Sequence, residues 1–300
     1  MIQTVLGWIP EEKLGVTLSH EHLCCYSEYL LGMMGDGYLD KRELERMAVN
    51  GLRSMREQYG LTGFVDCTPV NIGRDVELLK RVSEQSEVHI LSSTGFYYTE
   101  EPVLYNTSAD RLCASIVADA ERTGAALIKC AVEQPAVSEF QEKLLRASAR
   151  AHKRTGLPIV LHTNAKNQNA LPALEILFSE GVAAGSITVG HLSDTRDLEF
   201  LKKIASLGCM IGLDRLYDDF SEEYIERKLL AIRALCEAGY EDRILLSHDA
   251  LFFSGFRAEP RLNERPRFFY CFEYILPRLP KSLADQLMIK NPLRMIRAGR

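Results

Sequence analysis

The chain has no surplus of positive charge. Lys and Arg together number 36 against 41 Asp and Glu, a net charge of −5, so the electrostatic footprint of a nucleic-acid binder is missing. No apolar run is long enough to span a bilayer. The opening MIQTVLGWIPEEKLG lacks the basic-then-apolar order of a signal peptide. These absences lead us to expect a cytoplasmic chain without nucleic-acid or membrane partners. The eight cysteines include no CxxC pair. Cys24 and Cys25 are adjacent and the rest lie mostly in apolar segments, as suits buried reduced thiols better than a disulfide framework. No GxGxxG turn follows any strand, which argues against a dinucleotide site. No Pro/Gly/Ser-rich linker divides the 300 residues, a length that suits one barrel domain over 1–300.

What is present is an alternation of short apolar strands and polar-faced helices. The pattern predicts strands at 15–23, 63–67, 88–95, 126–132, 157–163, 186–192, 209–214 and 243–249. Helices are expected at about 41–59, 75–85, 108–122, 138–155, 170–180, 196–206 and 221–238, with the last helices over about 267–298. The strands are β-branched and apolar on both faces, as in a buried parallel sheet. Gly60, Gly124, Gly156 and Gly239 each sit just past a predicted helix, where a left-handed cap needs no Cβ. Eight βα units in a row predict an α/β fold, a single (β/α)8 barrel with its site at the carboxyl ends of the strands.

Metal-ligand residue types gather at those ends. His20 and His22 alternate with Glu21, so the two imidazoles share a face and Glu21 takes the other. His162 closes IVLH, His191 closes TVGH and Asp249 closes LLSHD. A single strand-end histidine could be a satisfied core residue, but four at three strand ends point to a metal. Asp249 could bind metal and accept a proton, or cap a following turn. His248 faces away from it. His89 starts its strand at the far end of the barrel, a stability position. His152, in ARAHKRTG, is expected on an exposed helix face.

Lys129, inside ALIKCAV, is costly to bury unless neutralised or paired. Its amine could add carbon dioxide to give a carbamate that bridges two metals. It could instead snorkel out of the barrel mouth, or form the Schiff base of a barrel lyase. The four histidines favour the carbamate.

The motifs TLSHEHL, STGFYYTE, LIKCAVE, IVLHTNA, VGHLSDT, IGLDR, LLSHD and KNPLRM run almost end to end. In this order they resemble the phosphotriesterase-like branch of the amidohydrolase superfamily, which includes the phosphotriesterase-like lactonases. The resemblance implies a binuclear metal centre. His20, His22 and Asp249 would hold the more buried ion and His162 and His191 the more exposed one. Carboxylated Lys129 would bridge both, together with a hydroxide. Zinc suits imidazole and carboxylate donors, with manganese, cobalt, nickel or iron as alternatives. Asp249 would be the catalytic proton acceptor. Asp194 would either orient a ligand or cap the next helix. Family members are often dimers, so a homodimer is possible here.

The implied activity is metal-dependent hydrolysis of a lactone or carboxyl ester, a small-molecule substrate. The alternative is phosphotriester hydrolysis. Tyr97 and Arg215 stand where the lactonases carry substrate-contacting tyrosine and arginine. Tyr97 could instead pack in FYY, and Arg215 could pair with Asp214, Asp218 or Asp219. The segment 251–270 follows the last strand and should cap the site. Its Arg257, Arg261, Arg265 and Arg267 could read the phosphate of a phosphorylated sugar lactone, with Arg257 as the proposed substrate contact. They could equally be solvated or paired with Glu259 and Glu264, while the phenylalanines of the segment would suit an apolar acyl chain.

Overall fold

The computed structural model describes residues 1–216, 219–256, 260–263 and 266–298. Eight parallel strands form the central sheet, and we label them in chain order: β1 (Val16–Glu21), β2 (Leu61–Asp66), β3 (His89–Gly95), β4 (Leu127–Ala131), β5 (Ile159–His162), β6 (Ile187–Val189), β7 (Met210–Leu213) and β8 (Ile244–Leu246). Each pairs in parallel with its sequence neighbour from β1 through β8. The ring closes between β8 and β1 through Asp249 N–H to the His20 carbonyl (3.1 Å) and His22 N–H to the Ala250 carbonyl (3.0 Å). The fold is therefore the expected (β/α)8 barrel.

The connecting helices fall where the apolar periodicity put them, at Lys41–Tyr59, Val76–Ser86, Ala109–Thr123, Glu139–Thr155, Ala170–Ser179, Leu198–Ser206 and Glu222–Glu237. Short polar caps start six of the seven. Asp40, Asp75, Ser108, Ser138, Asp197 and Ser221 each accept a backbone N–H of the first turn. Gly60, Gly124, Gly156 and Gly239 all have positive φ, as expected of residues closing a helix.

Alternation inside the barrel explains the location of the site. Leu127, Val160, Met210 and Leu245 belong to an apolar cluster floored by Ile2, Met295 and Ile296. Two residues further along β4 and β5, on the same inward face, come Lys129 and His162. The apolar layer thus sits below and the polar ligands above. Gly95 on β3 faces Lys129 on β4. A Cβ at Gly95 would strike the Lys129 carbonyl, and its φ of +97° suits glycine alone.

Several details differ from the sequence expectations. His152 is buried, with Nδ1 2.8 Å from the Leu157 carbonyl. It lies on the same helix face as Leu145 and Ala149, both fully buried, which the polar neighbours disguised. The last helices, expected over about 267–298, form two runs: π-helical Cys271–Ile275 passing into Leu276–Arg278, then Lys281–Asp285, π-helical Gln286–Lys290 and Asn291–Arg297 without a break. Pro280, extended ahead of Lys281, parts the two runs. An N-terminal hairpin (Ile2–Thr4 with Gly7–Ile9), a short helix at Glu28–Met34 and a two-residue pairing of Cys24–Cys25 with Phe253–Ser254 were not anticipated. All eight cysteines are free thiols. No described helix is long and apolar enough to cross a membrane.

Candidate metal centre

The barrel brings His20, His22, Lys129, His162, His191 and Asp249 to one end of the ring. Lys129 Nζ lies 2.7 Å from His20 Nε2. His22 Nε2 is 3.1 Å from Asp249 Oδ1, and His20 Nε2 is 3.7 Å from that same oxygen. His162 Nδ1 and His191 Nε2 face each other at 2.8 Å. All are buried except Asp249, whose side chain keeps a 14% opening to solvent.

The other ring nitrogen of each histidine is occupied. His22 Nδ1 meets Thr68 Oγ1 (2.9 Å), His162 Nε2 meets Glu133 Oε2 (2.9 Å) and His191 Nδ1 meets Asp214 Oδ1 (3.0 Å). His20 Nδ1 lies 2.6 Å from Asp214 Oδ2, a close pairing without hydrogen-bond alignment. Each imidazole is thus anchored through one nitrogen, and the free nitrogens and the lysine amine point at one another. That is the donor arrangement a divalent cation takes up, since anchoring fixes both the tautomer and the orientation of a ligand. Two groups come within bonding range of a single ion: His20, His22 and Asp249, and His20, His191 and Asp214.

Electrostatics supports the same reading for three of the four histidines. Burial pushes His20 down, pushes His162 down to about 4 and holds His191 well below its ordinary value. These rings are therefore neutral near pH 7, with lone pairs available to a metal. For His22, burial is outweighed by Cys25 and Asp249, and the ring is raised to about 10. Burial alone would raise the carboxyls of Asp214 and Asp249. The surrounding histidines, and Arg215 for Asp249, reverse this and leave both ionised.

Arg215 Nε donates to Asp249 Oδ2 (2.9 Å) and its Nη1 to Asp194 Oδ2 (2.8 Å). The guanidinium therefore lies between two carboxylates of the site, and among the described residues these are its ion-pair partners, in place of Asp214 or Asp219. Asp218 lies outside the described residues. Asp194 serves Arg215, while the helix cap is Asp197, which accepts the Phe200 N–H. Tyr97 is half-buried, its ring 5.2 Å edge-on to His162 and 4.2 Å from Tyr98. Arg257, Arg265, Glu259 and Glu264 lie outside the described residues. Arg261 is exposed, and Arg267 covers the Phe220 ring at 5.1 Å. Phe252, Phe253 and Phe268 are buried in packing, so these three are spent on structure; Phe256 stays exposed.

Sequence reasoning passed over two members of the site. Asp214 ends an apolar strand as Asp249 does, and that shared position was the available signal. Glu133 was present in LIKCAVE without a role.

With the geometry established, the relatives are informative. The profile of the Phosphotriesterase family matches residues 1–296. The chain belongs to the phosphotriesterase family. It is 32% identical over 294 residues to an aryldialkylphosphatase of Saccharolobus solfataricus, covering 94% of this chain and 93% of the relative. It is 29% identical over 317 residues to a phosphotriesterase homology protein of Mycobacterium tuberculosis, covering 98% and 97%. It is 27% identical over 345 residues to the human N-acetyltaurine hydrolase, covering 97% and 96%. The family is one of binuclear metal-dependent hydrolases, and the chain is accordingly a metal-dependent hydrolase.

Proposed function

We propose that this hydrolase opens a lactone or cleaves a carboxyl ester, with Asp249 as the proton acceptor, in one barrel domain spanning 1–300. The observation that carries the reading is the convergence of six donor side chains with every histidine anchored from behind. His20, His22 and Asp249 would hold one cation, and His162 and His191 a second. Lys129, carboxylated by carbon dioxide, would serve both, and zinc suits this donor set. When bound, such ions lower the pKa of water and polarise a carbonyl or phosphoryl oxygen.

The chain's own residues do the rest. Asp249 takes a proton through the oxygen that faces His22 and delivers it to the leaving group. Arg215 grips the opposite oxygen, keeping the carboxylate ionised and fixed in rotation. Tyr97 and Tyr98 stand against His162, so aromatic rings lie beside one of the proposed ligands. A planar lactone or ester would stack on these rings more readily than a tetrahedral phosphotriester, and the Tyr97 hydroxyl would donate to its ring oxygen.

A second reading, phosphotriester hydrolysis, is favoured by the name of the Saccharolobus relative. The human relative's name adds an acyl amide to the substrates worth testing. Acid release from a panel decides: homoserine, aliphatic, sugar and phosphorylated sugar lactones, aryl esters, an N-acyl amide and a phosphotriester. A preference of decades in kcat/KM for one lactone class supports the proposal. Silence on lactones and esters, with phosphotriester or amide turnover, overturns it. If the phosphorylated lactone leads, Arg257→Ala should raise KM for that substrate alone.

A further inference from the structure

Four non-glycine residues have positive φ among those described: Glu87, Gln168, His191 and Asp249. Glu87 and Gln168 close helical turns, where this conformation is ordinary. His191 (φ +64°) and Asp249 (φ +52°) are both candidate metal ligands. A left-handed backbone is unfavourable for a residue bearing a Cβ and persists where its surroundings hold it.

In both places a buried carboxylate from the adjoining strand end accepts backbone N–H groups of the turn. Asp214 Oδ1 accepts the His191 backbone N–H at 2.7 Å. Glu21 does more. It is fully buried, and its Oε1 accepts from His248 N–H (2.9 Å), His248 Nδ1 (2.7 Å) and Ser247 Oγ (2.8 Å). Its Oε2 accepts from Ala250 N–H (2.9 Å). The two backbone donors are the residues on either side of Asp249. A turn that points neighbouring N–H groups at one anion is an anion nest, and here both oxygens of one carboxylate fill it. No strand ladder joins β8 to β1 among the described residues, so this grip also bridges the seam.

We infer that Glu21 is a positioning residue: by holding the N–H groups of His248 and Ala250 it fixes Asp249 in the left-handed conformation and aims its carboxylate at His22. Glu21 reaches no reacting group itself, since it sits on the face of β1 opposite His20 and His22. It acts through Asp249, and the inference rests on Asp249 being a metal ligand.

The test is a comparison of Glu21→Gln, Asp249→Ala and Ser19→Ala with the parent. Glutamine has the same shape, but its NH2 must face a donor, so one half of the grip is lost. Glu21→Gln should bind zinc about 10–100-fold more weakly by chelator competition, with a matching loss in kcat and little change in KM. Ser19 Oγ bonds the Leu246 carbonyl (3.3 Å) at the same seam, away from Asp249. Ser19→Ala should lower the melting temperature and leave zinc affinity unchanged. Parent-like zinc affinity and kcat in Glu21→Gln, beside weakened zinc binding in Asp249→Ala, overturn the role of Glu21 and leave the site reading standing. Parent-like zinc binding in Asp249→Ala overturns the site reading itself. Hydrogen exchange on the unaltered protein needs no variant to fold. The amides of His248 and Ala250 should be protected like those of the barrel strands, and exchange at loop rates contradicts the inference.

Discussion

Lys129 Nζ lies 2.7 Å from His20 Nε2 across the barrel mouth, joining β4 to β1 although neither strand touches the other in the sheet. A buried amine facing an imidazole nitrogen, rather than reaching for solvent, lies where the proposed shared ligand would have to be. Lys129→Met keeps much of the volume and removes the nitrogen. The variant should fold and retain fewer than two metal ions per chain by elemental analysis. Two ions at parent affinity would remove Lys129 from the ligand set. The same lysine should not be trapped by borohydride with a carbonyl substrate, and trapping would revive the Schiff-base alternative.

Asp249→Asn keeps the shape of the side chain and loses the proton acceptor. We expect kcat to fall about 10²–10⁴-fold, the usual contribution of a positioned acid–base group, with the protein folded. Turnover near that of the parent would end the assignment of Asp249.

Asp214 anchors both His20 and His191 from behind. Asp214→Asn should weaken metal binding about 10–100-fold, as loss of an anchoring partner does, with a smaller loss in thermal stability. An unchanged metal affinity in a folded variant would reduce Asp214 to a packing role.

Away from the site, Arg74 makes a forked ion pair with Asp119 (2.6 and 2.7 Å), and Thr94 Oγ1 also donates to Asp119 (2.6 Å). Burial alone would raise the Asp119 carboxyl, but Arg74 and Thr94 outweigh it and hold it below its ordinary 3.8. A carboxyl depressed in the folded state stabilises the protein above that ordinary value, and the contribution disappears as pH falls through the lower, folded one. Asp119→Ala strands a buried guanidinium and should cost about 3–5 kcal/mol at pH 7 by denaturant unfolding. The gap between variant and parent should narrow below pH 4, and a gap that widens there would contradict this reading.

The fold was legible because each barrel strand is short, apolar and followed by a capped helix, so period and punctuation agreed. The convergence of the candidate ligands was legible for a narrower reason: a polar residue closing an apolar strand has few other uses. Asp214 obeys the same rule and was missed because it was weighed only as a partner for Arg215. Arg215 itself could not be placed from sequence, since its partners Asp194 and Asp249 come from other strand ends. His152 was misplaced by reading its charged neighbours instead of its spacing from Leu145. The tight aromatic packing of Phe252, Phe253 and Phe268 depends on contacts with Phe64 and other distant residues, which no local pattern carries.

The most direct test of the central claim is a metal titration of the chelated protein, with bound zinc and lactone or ester hydrolysis followed together. The account predicts two equivalents per chain, with activity complete only when the second is bound. One equivalent at full activity, or hydrolysis that persists after chelation, would contradict it.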